Sequence, residues 1–414
     1  MKIAAIGDIH AHNWKEFSTQ KLVYWDSDQD TFIEVTEEQK ANQPELQEST
    51  VIMNSRLLTI CNALCCVREY CCSNSIPYLL VAGDLFHARG AVETSVFNAV
   101  YQVFESMQDR GIRLVFIAGN HDQVDNSVVP ENSLLAFRHL GTVLSTPHLV
   151  TLTEFTGKDK KTREYVDLIA IPYSKDKAFV INRLNSLLEE QAVLEKSRQK
   201  KIATGKQPIL LAHLGISGGL VGSSNYVMSD EYNLTELKIP KFLYGIFGHY
   251  HKPQTLEYNS FYTGSLVQNT FNDEGSNNGL WVIDTEVENG EQRMECVDIY
   301  KDQLHIPRFH TITSEDSLDA TVVRDSRDYY RVKANVKDLE RIQSELPEEI
   351  TEKLKLEVEK DYESELRSGI NVSQSVPEIL EIYVEENYDE GMGVPKEALI
   401  VTGIELYNTA MKRG

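Results

Sequence analysis

The chain has 414 residues, 25% of them charged, with a formal net charge of −22 and six cysteines. That length exceeds one typical domain and leaves ample material for a large core, so two or three units are expected. The acidic balance argues against an overall basic face for nucleic acid; no apolar stretch nears the ~20 residues that span a membrane, and residues 2–6 already read as a strand with no basic leader before them, so a cytoplasmic protein is expected.

KIAAI, residues 2–6, is short, continuously apolar and rich in branched residues, which reads as a buried strand; it runs into Asp8-Ile9-His10. His12 reads as an ordinary loop histidine. Residues 15–50 are polar and acidic and read as a surface insertion, in which KLVYW and TFIEV flank DSDQD as a hairpin. Asp26, Asp28 and Asp30 have the spacing of a calcium loop, but Thr31 stands where such a loop needs glycine, so a solvated turn is expected. Helices are expected near 52–73, 92–110, 131–140 and 175–200, alternating with strands as a two-layer sheet core demands. The first carries Cys61, Cys65, Cys66, Cys71 and Cys72 with no interleaved histidine, which reads as buried or free thiols rather than a zinc site. The last ends in a basic run that reads first as a solvated helix end and second as a DNA contact.

Four further runs, YLLVA, RLVFIA, PILLA and LYGIF, end on Gly83-Asp84, Gly119-Asn120-His121-Asp122, His213 and Gly248-His249-Tyr250-His251. Each motif alone is commonly a turn or a helix cap. Together they place carboxylate, amide and imidazole groups at the carboxyl ends of five strands, where the crevice of an α/β sheet binds ligands. Such mixed oxygen and nitrogen donors suit manganese, iron or zinc. Asp8, His10, Asp84 and His251 can surround one ion, and Asp84, Asn120, His213 and His249 a second, with Asp84 bridging. Two cations roughly 3.5–4 Å apart can share and acidify a water and clamp a phosphoryl group under in-line attack. His121 is not needed to complete either set, which leaves it free to protonate a leaving oxygen or steady charge on the phosphoryl group. Asp122 either holds the other nitrogen of His121 or caps the next turn.

Beyond about residue 300 the composition turns to charged strand-then-helix patterns. YYRVKANV reads as a strand, and residues 338–367 are strongly charged and broken by Pro347. Residues 377–388 and 395–413 read as helices that open with proline and carry apolar stripes spaced at three and four.

The order D-x-H, G-D, G-N-H-D, H and G-H-x-H resembles the calcineurin-like metallophosphoesterases. Within them GDLFHARG, FIAGNHDQ, AHLGISGG, FGHYHKPQ and YTGSLVQNTFND are similar to the SbcD-type subunits of DNA double-strand-break repair nucleases, over about residues 1–285. The resemblance implies an α/β fold with a two-layered β-sandwich flanked by helices, a small α+β capping domain and terminal helices. It makes residues 1–300 a nuclease domain and matches 301–370 in position to a capping domain, while the apolar stripes of 375–414 mark a helical partner-binding segment. It implies two divalent ions, manganese first, held by Asp8, His10, Asp84, Asn120, His213, His249 and His251, with His121 as the catalytic histidine. His87 falls where this group contacts the scissile phosphate; read without the resemblance it is a loop histidine near a helix start. DNA would be the substrate, cut as an exonuclease and endonuclease by a metal-bridged hydroxide, and an SMC-like ATPase of the SbcC type the partner; a homodimer is also compatible. Arg89, Arg138 and Lys252 can add basic charge to the crevice rim. Other members of the fold hydrolyse phosphoproteins or cyclic nucleotides, and an inactive metal-binding adaptor is the rival from outside enzymes. A protein phosphatase would carry G-D-x-x-D-R-G, whereas here His87 stands in place of the second aspartate.

Overall fold

Alternation inside the apolar runs decides how they stack. In the strand Lys2–Ile6, Ile3 and Ala5 face one side and Ala4 and Ile6 the other, and all four are buried, because successive side chains of a strand point to opposite faces. Leu80 and Leu79 of Tyr78–Val81 divide the same way, as do Val115 and Phe116 of Arg113–Ile117. Strands apolar on both faces need cover on both.

The computed structural model describes residues 1–125, 127, 130–156, 162–199, 207–228, 231–288, 291–298, 306–313, 323, 326–345, 354–358, 380, 383–385, 388 and 395–411. One six-stranded sheet runs in the order Glu291–Val297, Leu280–Glu288, Lys2–Ile6, Tyr78–Val81, Arg113–Ile117, Gly141–Leu144, with Leu280–Glu288 antiparallel to both neighbours and the last four strands parallel. The other runs Gln254–Leu256, Ser260–Tyr262, Tyr244–Gly248, Ile209–His213, Thr162–Ile171, His148–Thr156, parallel except at its two edges. Ile3, Leu80 and Val115 of the first sheet meet Leu168, Leu211 and Ile246 of the second in a central apolar layer. The outer face of the first sheet is covered by helices Ser55–Ser73 and Thr94–Asp109 through Leu64, Val100 and Phe104. Helix Lys177–Gln199 covers the second through Val180 and Leu184. The fold is thus a mixed α/β sandwich flanked by helices. Its five motif-bearing strands divide three and two between the sheets, and their carboxyl ends still meet: Gly7 bridges Ser265, and the Tyr173 N–H donates to the Ala118 carbonyl at 2.9 Å.

Residues 15–50 are less of a surface excursion than their polarity suggests. The hairpin Gln20–Asp26/Thr31–Glu34 forms, but Val23 and Phe32 are buried in the core beside helix Ser55–Ser73. The buried Arg68 donates to the Gln29 carbonyl at 3.3 Å and to the Ser106 hydroxyl at 2.7 Å, and it also holds the Asp30 carbonyl. Asp26 closes the turn by accepting from the Asp28 and Gln29 amides. The helix expected from residue 52 starts at Ser55 instead. Val51–Asn54 is a third strand, paired with Gln20–Asp26, because branched Val51 and Ile52 lie opposite Val23 and Leu22 and the Asn54 side chain caps the helix that follows. The helix expected at 131–140 is the 3-10 turn Ser133–His139, capped by Asn132. Cys61, Cys65 and Cys71 face the core, where burial raises their thiol pKa values.

Strands Phe309–Thr313, Tyr329–Ala334 and Leu354–Val358 form a small sheet around a separate core of Tyr330, Val332, Leu339 and Leu354, joined by helix Val336–Glu345. Met1–Glu357 is one compact unit and Val358–Gly414 another. In the second, helix Lys396–Met411 leaves Val401 and Leu406 exposed and sets Gly403 against Leu380. Pro347, Ser375 and most of the helix expected over 377–388 lie outside the described residues. Among the described residues no helix is long and apolar enough to cross a membrane.

Candidate metal centre

The site forms where the strand ends turn sharply. Asp8, His10 and Asp84 hold φ values of 47°, 47° and 52°, a left-handed conformation that non-glycine residues adopt at a cost. The cost is met by pairing: Asp8 N–H donates to the Gly83 carbonyl at 3.0 Å and His10 N–H to the Asp84 carbonyl at 2.9 Å, locking the first two motifs together. The Asp8 carboxylate accepts the His249 N–H at 2.9 and 3.0 Å, and Asp84 Oδ1 accepts the His121 N–H at 2.8 Å. Four of the five motifs are thus tied together, and His213 completes the cluster.

At its centre Asp84 Oδ2 lies 3.5 Å from His10 Nε2 and 3.5 Å from His213 Nε2. Asn120 Oδ1 lies 3.1 Å from His213 Nε2 and 3.0 Å from His249 Nδ1. His251 packs 4.7 Å from His10, ring to ring, and its Nδ1 lies 3.3 Å from Asp273. Donor atoms of Asp8, His10 and His251 form one close group, and those of Asp8, Asp84 and His213 another. Asp8 is 0% and Asp84 2% exposed. A carboxylate taken so far out of water needs balancing positive charge.

The protonation pattern follows. Burial pushes the Asp8 carboxyl up to about 6 against the pull of His213 and His251. At His213 burial opposes the charged form, yet Asp84 overcomes it and raises the imidazole to about 9. Asp84 moves the other way, held well below the usual carboxylate range because His213 and His10 outweigh its burial.

The residues fit divalent cations on two observations. Both ring nitrogens of the buried His10 lack any hydrogen-bond partner, and a cation would satisfy one of them. His213 Nδ1 sits 2.7 Å from the Ala82 carbonyl. A carbonyl only accepts, so Nδ1 carries a proton, and Nε2, which faces Asp84 and Asn120 Oδ1, is the nitrogen whose proton a cation would displace, as binding at a histidine requires.

His121 lies beside the cluster, 4.8 Å from His10 between ring centroids. Its Nδ1 is 2.7 Å from the His87 carbonyl, which leaves Nε2 as the nitrogen free for substrate. His87 is half-buried and stacks on His121 at 5.1 Å, so the two rings form one wall. Asp122 does not hold the His121 ring. Its carboxylate accepts from the Gly119 and Phe86 amides at 2.9 and 3.2 Å, tying two motif loops together as a turn cap does. His12 is no ordinary loop histidine: it is buried, stacked 4.0 Å from Trp14, with Nδ1 2.6 Å from the His10 carbonyl. Burial, with the nearby Arg56, lowers its pKa to about 3. Burial raises the Tyr173 phenol against the pull of the exposed Arg89, Lys252 meets the Asn225 amide oxygen, and Arg138 stands exposed on the 3-10 turn.

Sequence reasoning missed Asp273, buried behind His251, and Tyr173, whose ring lies 5.8 Å from His249. Only the stretch YTGSLVQNTFND marked the first; nothing marked the second.

A family model described as calcineurin-like phosphoesterase matches residues 1–253. The putative phosphoesterase 244L of Invertebrate iridescent virus 6 is 24% identical over 262 residues, covering 63% of this chain and 82% of that protein. Exonuclease subunit 1 of Enterobacteria phage T4 is 24% identical over 347 residues, covering 82% of this chain and 89% of its own. Among solved structures, the calcineurin-like phosphoesterase YfkN from Bacillus subtilis aligns at 15% identity with a TM-score of 0.34, over 72% of this chain and 88% of that one.

Proposed function

Because the chain belongs to the calcineurin-like phosphoesterase family, whose members use two divalent metal ions to hydrolyse phosphoester bonds, we propose that it is a manganese-dependent DNA nuclease of the SbcD type acting in the cytoplasm. The observation that carries this reading is the wall of two stacked histidines, His87 and His121, set against a cluster centred on Asp84. A relative named as an exonuclease subunit, similar over most of both chains, supports it.

Asp8, His10, Asp84 and His251 would hold one cation and Asp84, Asn120, His213 and His249 the other. When bound, the pair supplies concentrated positive charge at the phosphate and a water acidified for attack on phosphorus. The chain's own residues do the rest. Ala82 and Asp273 fix the orientations of His213 and His251. His121 Nε2 delivers a proton to the leaving 3′ or 5′ oxygen, its ring held by the His87 carbonyl. The His87 ring beside it steadies the non-bridging oxygens.

The reading is tested by a panel of linear duplex DNA, single-stranded DNA, a phosphopeptide and a cyclic nucleotide. DNA cleavage in manganese should exceed that in magnesium by about tenfold or more, since magnesium prefers an all-oxygen shell and holds its waters. Equal rates with both ions, or turnover of the phosphopeptide or cyclic nucleotide alone, would sink it.

The partner belongs to the same proposal. The segment 375–414 carries no residue of the cluster, and its helix Lys396–Met411 leaves Val401 and Leu406 exposed. Docking on an SMC-like ATPase would cover them. Deleting residues from Ser375 onward should leave manganese-dependent cleavage intact and abolish co-purification with the ATPase. Retained complex formation would place docking elsewhere.

A further inference from the structure

A cavity of about 210 Å³ opens beside Trp14, walled by the loop after His12, by residues 269–272 and by the small sheet through Phe309, Arg331 and Lys355. Trp14 connects it to the histidine wall. Its ring centroid lies 4.5 Å from that of His87, edge to face, and His87 stacks on His121. Trp14 and Phe17 keep part of their surfaces exposed, with Phe271 and Phe309 buried behind them.

Asn269 lines the same cavity, is 1% exposed, and neither the nitrogen nor the oxygen of its side-chain amide has a hydrogen-bond partner. Its backbone is already engaged, the carbonyl accepting from Arg56 and the N–H donating to Asp273 at 2.8 Å. A buried primary amide with no partner is costly. It is also a paired donor and acceptor, the complement of a base edge. On the rim Lys355 meets Glu16 at 2.8 Å, and Arg331 lies over the Phe271 ring at 4.5 Å.

From these groups we infer that the cavity receives one unpaired nucleobase of the DNA strand whose phosphate lies at His121 and His87. The exposed parts of Trp14 and Phe17 supply apolar contact for the base, Asn269 turns its amide, now closed to solvent, out to the base edge, and Lys355 exchanges Glu16 for a flanking phosphate. That the base belongs to a strand under cleavage rests on the nuclease reading. A base contact would add binding that does not depend on neutralising phosphates, which suits a chain of net charge −22.

The test is fluorescence anisotropy of the full chain in EDTA with a labelled single-stranded decamer and with a decamer of abasic residues. The intact strand should bind about tenfold more tightly. Asn269→Leu, close in size and unable to pair, should remove most of that preference, and Trp14→Leu should do the same if the first variant misfolds by circular dichroism. Equal affinity for the two strands, or a preference unchanged in the folded variants, overturns the proposal. Deoxyadenosine monophosphate competing as well as the decamer also overturns it, by placing a free nucleotide there. Hydrolysis of bis(p-nitrophenyl) phosphate with manganese is followed in parallel. Its absence beside a persisting base preference would remove the nuclease reading and leave the base pocket standing.

Discussion

Asp84→Asn is expected to strip the centre of metal and abolish hydrolysis, whereas His121→Ala is expected to keep its metal and lose about 10²–10⁴-fold in kcat. The two residues touch, through the His121 N–H on Asp84 Oδ1 at 2.8 Å, yet the proposed function gives them different work. Asp84 Oδ2 is equally distant from His10 and His213, so removing its charge weakens both halves of the cluster at once. The His121 ring is turned to the His87 carbonyl, and its loss costs the proton donor alone. Metal content by mass spectrometry, measured beside the DNA cleavage rate, separates the cases. If His121→Ala loses as much metal as Asp84→Asn, His121 is a ligand and the proposed division of labour is wrong.

Gly119→Ala should be nearly as damaging, without changing any polar group. A Cβ at Gly119 would collide with the Asp84 carboxylate and with the Asp84 backbone nitrogen, neither of which is the free end of a flexible chain. The loop must shift, carrying Asn120 and His121 with it and disturbing the Gly119 N–H bond to Asp122. Overpacking of this kind costs about 1–3 kcal/mol, and misplacing catalytic groups by an ångström can cost about 10²-fold in rate. Thermal melting together with manganese-dependent cleavage checks both. A variant with the parent melting temperature and full activity would show that the loop yields without strain.

The close packing that makes Gly119 sensitive is itself invisible in the sequence. Gly-Asn-His-Asp after an apolar run is legible as a motif because each strand must bury both faces and so carries a continuous apolar signal up to the turn. Local chemistry named the side chains that the structure brings into one cluster for the same reason: side-chain type is written in the chain. It did not reach the roles set by distant neighbours. Asp122 ties Gly119 to Phe86, and His12 is buried against Trp14, because the turns after Ile6, Val81 and Ile117 are pressed together.

The insertion shows the same limit from another side. The hairpin around DSDQD follows from local alternation, but Val51–Asn54 reads locally as the start of a helix. Pairing with Leu22 and Val23 makes it a strand, and Asn54 then becomes the cap. The cavity beside Trp14 is further still from any local signal, since its walls come from residues 14–17, 269–272, 309, 331 and 355. By itself the sequence determined the donor chemistry, the buried strands and the family, because those depend on residue type and short-range spacing. Only the tertiary structure decided that one oxygen of Asp84 faces two histidines, which ring nitrogen of His121 is free, and that a buried asparagine stands unpaired beside aromatic rings, because those depend on distances between segments remote along the chain.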